Sequence, residues 1–249
     1  MEQFRNPYHS HEHSSYVLDL LYGYDDFLES VTTVADLGCG GGLDINWWAT
    51  LTNKEDPFEP YNFDCYAVDI DTNRLVVDLP ENVTVIKGDF ETALLPKPVD
   101  VLWCHDAFQY AINPLSTLKL WNQQMNVNGM MILTIPQQIN YHHNRLVHRT
   151  MNGCYYNYTY GNLMYMLAIN GFDCRDAYFY KRRENPWIYA AVYKNSENFL
   201  DPRTTNWQHL ADQGLINDNC IASVNSYGYL RQEDIVHAWL DKDYYSVED

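Results

Sequence analysis

The segment that most restricts the fold is a short strand pattern running into a glycine cluster. Val31-Thr32-Thr33-Val34-Ala35-Asp36-Leu37 is β-branched and apolar, which predicts a buried strand. It stops at Gly38-Cys39-Gly40-Gly41-Gly42, beyond which Leu43, Trp47 and Leu51 recur at spacing four, the stripe of an amphipathic helix. A helix after a strand carries the chain back along the sheet, so the next strand can run parallel to the first.

The rest of the chain repeats that logic. Ser15 to Ser30 reads as an N-terminal helix, with Val17, Leu18, Leu21, Phe27 and Leu28 as its apolar positions. Thr52 to Asn62, with Pro57 and Pro60 among acidic residues, reads as a surface loop. Short apolar runs at Phe63–Ile70, Val83–Gly88, Val99–Cys104 and Met130–Ile135 predict further strands. Asn113-Pro114 predicts a helix start with Asn113 as N-cap, and Leu118, Trp121 and Met125 form one face. A helix over Tyr160–Asn170 closed by Gly171 precedes strands at Phe172–Tyr180 and Trp187–Tyr193. The order predicts one α/β domain over residues 1–249: a mostly parallel sheet with helices on both faces and a terminal hairpin that adds an antiparallel strand. The core spans about residues 30–194. Residues 195–249, with a helix over Gln232–Leu240, form an appendage, because a separate unit of that length buries too little surface.

Sixteen Lys and Arg against thirty-three Asp and Glu give a net charge of −17, which repels polyanions and argues against DNA as a substrate. With no basic stretch leading into an apolar run at the N-terminus, and no uninterrupted apolar run of about 18 residues, a soluble, cytoplasmic chain with no membrane partner is expected. The six cysteines, Cys39, Cys65, Cys104, Cys154, Cys174 and Cys220, are scattered without a C-x-x-C pair and read as buried reduced thiols. His9, His11 and His13 alternate but read as a solvated tail, so no metal is expected. The basic runs at 142–149 and 181–183 read as solvated helix faces.

In an open parallel sheet, ligands bind beyond the carboxyl ends of the strands. Those positions hold one ordered set. The four glycines of the turn 38–42 allow close backbone approach, and Asp69 ends the second strand, placed to accept both hydrogen bonds of a ribose diol. Asp89 offers an acceptor for an exocyclic amine, and Phe90 a ring to pack on a base. A nicotinamide dinucleotide fits less well: reading G-x-G-x-x-G from Gly38 puts Leu43 where the third glycine packs helix on strand. The Lys-Ser/Thr pair of a P-loop is also missing from the turn.

Val34-Ala-Asp36-Leu-Gly38-Cys-Gly40-Gly-Gly42, Ala67-Val68-Asp69-Ile70-Asp71, Gly88-Asp89-Phe90, Asp100 to Phe108 and the Asn128-Gly129 turn occur in one order. Together they resemble the class I S-adenosylmethionine-dependent methyltransferases, over roughly residues 30–193. The resemblance implies a Rossmann-like, doubly wound sheet. It implies that Gly38, Cys39, Gly40 and Gly42 hold the methionine portion of the cofactor and that Asp36 positions its amino-acid end. Asp69, with Ile70 beside it, would hold the ribose, Asp89 and Phe90 the adenine, and His105 and Asp106 would flank cofactor and acceptor, Asp106 as a cofactor or pocket contact rather than a base. Two departures stand out: Asp69 lies thirty-one residues after Gly38, and Asp71 rivals it for the ribose.

Methyl transfer is an in-line displacement on an activated carbon, so the enzyme supplies alignment and, for a protonated acceptor, a base. His105, just past the fourth strand, is the candidate catalytic base; Tyr110, Tyr141 and His142 are candidates for the acceptor pocket, with His143 beside them. DNA amino-methylating members carry Asn or Asp followed by two prolines and an aromatic at that strand end, where this chain has Cys104-His105-Asp106-Ala107. The expectation is methyl transfer to an N or O atom of a small-molecule acceptor. Two alternatives stand beside it: a cofactor-binding module that acts through a protein partner without turnover, and aminopropyl transfer on the same fold.

Overall fold

The computed structural model describes residues 25–53, 56, 58–136, 156, 158–180 and 187–227. In chain order the elements are α1 (Asp25–Ser30), β1 (Thr33–Leu37), α2 (Leu43–Ala49), β2 (Asp64–Asp69), β3 (Val83–Lys87), β4 (Val99–His105), α3 (Pro114–Gln123), β5 (Met125–Pro136), α4 (Tyr160–Ile169), β6 (Phe172–Tyr180), β7 (Trp187–Lys194), α5 (Trp207–Asp212) and α6 (Asp218–Tyr227). Single 3-10 turns lie at Thr72–Arg74 and Phe108–Tyr110.

The seven strands form one sheet in the order β3-β2-β1-β4-β5-β7-β6. β1 to β5 pair in parallel, and β7 runs antiparallel to β5 and to β6. The hairpin expected at the end of the core adds to the β5 edge with its second strand inward: β7 lies beside β5, and β6 becomes the edge. This is the mostly parallel, Rossmann-like sheet that the element order predicts.

Strand residues alternate between two buried layers. Val34, Ala67, Val101, Trp103, Met130 and Ile132 pack with α2 and the end of α1. Ala35, Leu37, Val68, Leu102, Cys104, Met131 and Leu133 face the layer built from α3, α4 and the segment beyond β7. In that segment Leu210, Leu215, Ile216 and Cys220 are buried in the same cluster, and the Cys174 N–H donates to the Leu215 carbonyl at 2.8 Å. Residues 195–227 thus pack on the sheet domain as an appendage with a shared core.

Three local expectations change. In α2 the buried face is Ile45, Trp48 and Ala49, while Leu43 and Trp47 are only half-buried and Leu51 lies past the helix end. The aromatic cluster decides the rotation: Trp48 packs on Phe63 and Trp103, and Trp47 on its outer edge. Met125, expected on the face of α3, instead opens β5, opposite Val99. Asn113 precedes α3 without a side-chain capping bond. The Glu91 carboxylate caps α3 instead, accepting from the Ile112 N–H at 2.7 Å, the Asn113 N–H at 2.9 Å and the Thr117 hydroxyl at 3.0 Å. Glu91→Ala is expected to cost about 1–2 kcal/mol, the usual worth of a cap, in urea unfolding. A larger loss in Asn113→Ala than in Glu91→Ala would count against this assignment.

At the opposite end of the sheet, Asp100 Oδ2 accepts from the backbone N–H and hydroxyl groups of Thr32 and Thr33 at 2.8–3.0 Å, and Oδ1 from the Asn126 amide at 2.7 Å. Although burial opposes it, these bonds hold the carboxyl below its ordinary range. They tie together the starts of β1, β4 and β5.

Among the described residues no helix is long and apolar enough to cross a membrane, and no group of His, Cys, Asp and Glu can hold a metal. The five described cysteines are buried and free. The histidines at 9, 11 and 13, both basic runs, Cys154, most of the N-terminal helix and the helix over 232–240 lie outside the described residues.

Candidate functional site

Strand alternation puts Asp69 of β2, Asp36 of β1, His105 of β4 and Thr134 of β5 on the α2 side of the sheet, at or near the carboxyl ends of their strands. The turn after β1 runs beneath them. The Gly38 and Cys39 N–H groups both donate to the Val68 carbonyl, at 2.8 and 3.0 Å. Gly38 has φ +83°, and a Cβ there would collide with the Ala107 methyl. Gly42 has φ +79° just before α2, and a Cβ there would come within 2.8 Å of Leu75 Cδ2. Both sites admit only glycine without strain.

Asp69 ties this turn to β2: Oδ2 accepts from the Gly40 N–H at 2.8 Å and Oδ1 from the Asp71 N–H at 2.9 Å. Asp71 is occupied locally, its Oδ1 accepting from the backbone and side-chain N–H groups of Asn73 at 3.2 and 3.0 Å. Of the two rival acids, Asp69 is the one on the glycine turn. Ile70, beside it, is 68% exposed although apolar, and Phe90 sits next to Gly38, its Cδ1 3.8 Å from where a Cβ would be. Phe90 is held by Trp121, which packs on its ring at 6.0 Å and donates Nε1–H to its carbonyl at 2.9 Å. Asp89 is exposed, with Oδ1 accepting from the Glu91 N–H at 2.9 Å.

Asp36 is buried, and burial together with the charges of Asp44 and Asp69 pushes its carboxyl well above the usual range. The same burial, with Asp36 and Asp69 nearby, pushes the Cys39 thiol up. Asp44 Oδ2 accepts from Trp103 Nε1–H at 3.0 Å and lies 3.8 Å from His105 Nδ1. The buried His105 ring stacks on Trp103, with centroids 6.3 Å apart and planes 19° from parallel. Asp106 follows with φ +52°, its N–H donating to the Thr134 carbonyl at 2.9 Å and its Oδ1 accepting from the Gln109 amide. Burial pushes its carboxyl up to about 7, opposed by the Gln109 bond.

The fold therefore brings Asp36, Gly38, Cys39, Gly40, Gly42, Asp69, Ile70, Phe90, His105 and Asp106 to one end of the sheet, with Asp89 beside Phe90. Tyr110 ends the 3-10 turn and is half-buried, while Tyr141 and His142 lie outside the described residues. Sequence reasoning missed Asp44, Gln109 and Thr134. The position of Asp44 in the first turn of α2 and the alternation of β5 carry a signal for two of them; Gln109 has only its spacing of three from Asp106.

The donor set suits a cation with an adenosine group. Three carboxylates crowd the glycine turn, and their mutual repulsion is relieved by a bound positive charge, whereas a dinucleotide pyrophosphate would add to it. Ile70 and Phe90 offer apolar surface for a base.

The family described as "Methyltransferase domain" matches residues 28–211. Solved structures share the fold at low identity. A protein from Galdieria sulphuraria described as a sarcosine dimethylglycine methyltransferase superposes with TM-score 0.56 and 13% identity, covering 74% of this chain and 86% of its own. A Listeria monocytogenes protein described as an S-adenosylmethionine-dependent methyltransferase gives 0.53 and 14%, covering 71% and 100%. Human N-acetylserotonin methyltransferase, solved with S-adenosylmethionine, gives 0.51 and 16%, covering 68% and 49%. No curated protein matches the sequence.

Proposed function

This chain belongs to the methyltransferase-domain family and uses S-adenosylmethionine, and from that premise we propose that it methylates a nitrogen or oxygen atom of a small-molecule acceptor. The carrying observation is the glycine turn ringed by Asp36, Asp44 and Asp69 at the carboxyl ends of β1 and β2. When bound, the cofactor supplies an activated methyl carbon whose bonding electrons leave with sulfur.

In this reading Asp36 balances the ammonium of the amino-acid end, and the backbone of residues 38–42 surrounds it. Asp69, already oriented by the Gly40 and Asp71 N–H groups, takes the ribose hydroxyls. Ile70 and Phe90 sandwich the adenine, with Asp89 at its amine. His105 is the first of two groups at the end of β4 that can take an acceptor's proton. A small acceptor is supported by the negative charge of the chain and by the missing Pro-Pro-aromatic run after β4.

Calorimetric titration with S-adenosylmethionine and with NAD tests this directly. Wild type is expected to bind the first alone. Asp69→Ala removes two charge-assisted hydrogen bonds, and affinity is expected to fall on the order of 100-fold. Unchanged affinity in the variant would remove Asp69 from the site.

A further inference from the structure

Two buried polar atoms beside Asp106 have no hydrogen-bond partner. Gln109 is 1% exposed; its amide nitrogen donates to Asp106, and its Oε1 is left unpaired. Thr134 is also 1% exposed, with an unpaired hydroxyl, and its carbonyl holds the Asp106 N–H. Unpaired buried atoms of this kind are rare, because each has given up water for nothing in return. Asp106 itself is a non-glycine residue held at φ +52°, a strained backbone of the sort that persists where surrounding structure imposes it. The next residue, Ala107, lies against Gly38, so the cluster stands beside the glycine turn.

We propose that Asp106, Gln109 and Thr134 form the acceptor subsite, that the acceptor is an amine, and that Asp106 takes its proton. The inference rests on the methyl-transfer reading of the same site. The cluster presents a carboxylate oxygen, an amide oxygen and a hydroxyl, an acceptor-rich set that pairs with N–H groups. A phenol has one proton, and giving it to Asp106 leaves Gln109 Oε1 unpaired; an amine nitrogen with two N–H bonds satisfies both. A carboxylate or phosphate acceptor would meet the Asp106 carboxylate and the two unpaired oxygens. The neutral nitrogen forms its new bond to the methyl carbon with its lone pair as the carbon–sulfur pair leaves on sulfur. One N–H proton passes to the Asp106 carboxylate, leaving a neutral methylated amine.

A carboxyl with its midpoint at about 7 can both accept and release that proton near neutral pH. The other titratable groups on the neighbouring elements are Cys104 and His105 on β4, Asp36 on β1, Asp44 on α2, Tyr110 on the 3-10 turn and Tyr189 opposite Thr134 on β7. His105 is the rival base, and its Nδ1 is turned toward Asp44.

The test loads the protein with S-adenosylmethionine and offers ethanolamine and histamine as amines and catechol as an oxygen acceptor, following release of the demethylated cofactor by mass spectrometry. An amine is expected to turn over. Asp106→Asn should lower that rate by about 100-fold or more while cofactor affinity stays within about threefold, and His105→Asn should lower it less. Independently of turnover, the infrared difference between wild type and Asp106→Asn should show a carboxyl band that titrates near 7. Methylation of catechol instead of amines, no product with any amine, an unchanged rate in Asp106→Asn, or no carboxyl titration between about pH 5 and 9 overturns the assignment. Failure of the wild type to bind S-adenosylmethionine sinks the methyl-transfer reading itself, and calorimetry separates that outcome from the rest.

Discussion

Gly38→Ala is expected to lose S-adenosylmethionine binding below calorimetric detection and to unfold at lower urea. A side chain at φ +83° costs about 1–3 kcal/mol in backbone strain alone, and here the added methyl also overlaps that of Ala107. Relief requires the turn to move away from the end of β4. That motion pulls the Gly38 and Cys39 N–H groups off the Val68 carbonyl and Gly40 off Asp69, so stability and cofactor affinity fall together. Gly88→Ala is the control: a Cβ there meets only the Ala93 methyl at 3.4 Å, ordinary contact, and little change is expected. Wild-type affinity in Gly38→Ala would show that the turn does not hold the cofactor.

The second large effect is on stability as a function of pH. An aspartate in the unfolded chain loses its proton near 4, whereas folded Asp106 keeps its own to about 7. Between those values the folded state binds more protons than the unfolded state, so the Asp106 contribution makes stability fall as pH rises, and the loss is complete above about 7. At about 1.4 kcal/mol per pH unit, the ionised carboxylate weakens the fold by a few kcal/mol at neutral pH and above. Asp106→Asn keeps an oxygen for the Gln109 amide and carries no charge. It is therefore expected to be more stable than wild type at pH 8 by that amount and nearly equal at pH 4. Urea unfolding of both proteins across this range decides it, and a difference independent of pH would refute the role of burial at Asp106. A group that destabilises its own fold is a common mark of function.

Much of the architecture was readable beforehand, because it rests on periodicity and punctuation. The β-branched run before Gly38, the apolar runs Phe63–Ile70 and Val99–Cys104, and Gly171 after α4 are local signals, and each marks a real element to within a residue or two. The rotation of α2 was not readable. Leu43, Trp47 and Leu51 make as good a stripe as Ile45 and Trp48, and only the Phe63 and Trp103 rings across the sheet decide between them. The α3 cap escaped for the same reason: Asn113 is the better capping residue locally, but Glu91, twenty-two positions earlier, reaches the helix end first.

The site divides along similar lines. Glycines and acids at strand ends are marked by their own neighbours, so Gly38, Gly42, Asp36, Asp69 and Asp89 could be named from the sequence. Burial and partners belong to the assembled fold. The repulsion of Asp36 by Asp44 and Asp69, the approach of His105 to Asp44, and the raised carboxyl of Asp106 all arise between groups on different strands and helices. Nothing near position 109 distinguishes a solvated Gln from a sealed one, and the alternation of β5 gives the side on which Thr134 lies but not the loss of its water. Sequence alone thus determined which strands form and where a cofactor can lie, since those follow from local pattern and from the geometry of a parallel sheet. Tertiary structure alone decided which side chains lose their water, because desolvation depends on what distant segments pack on top, and that loss sets the chemistry of Asp106.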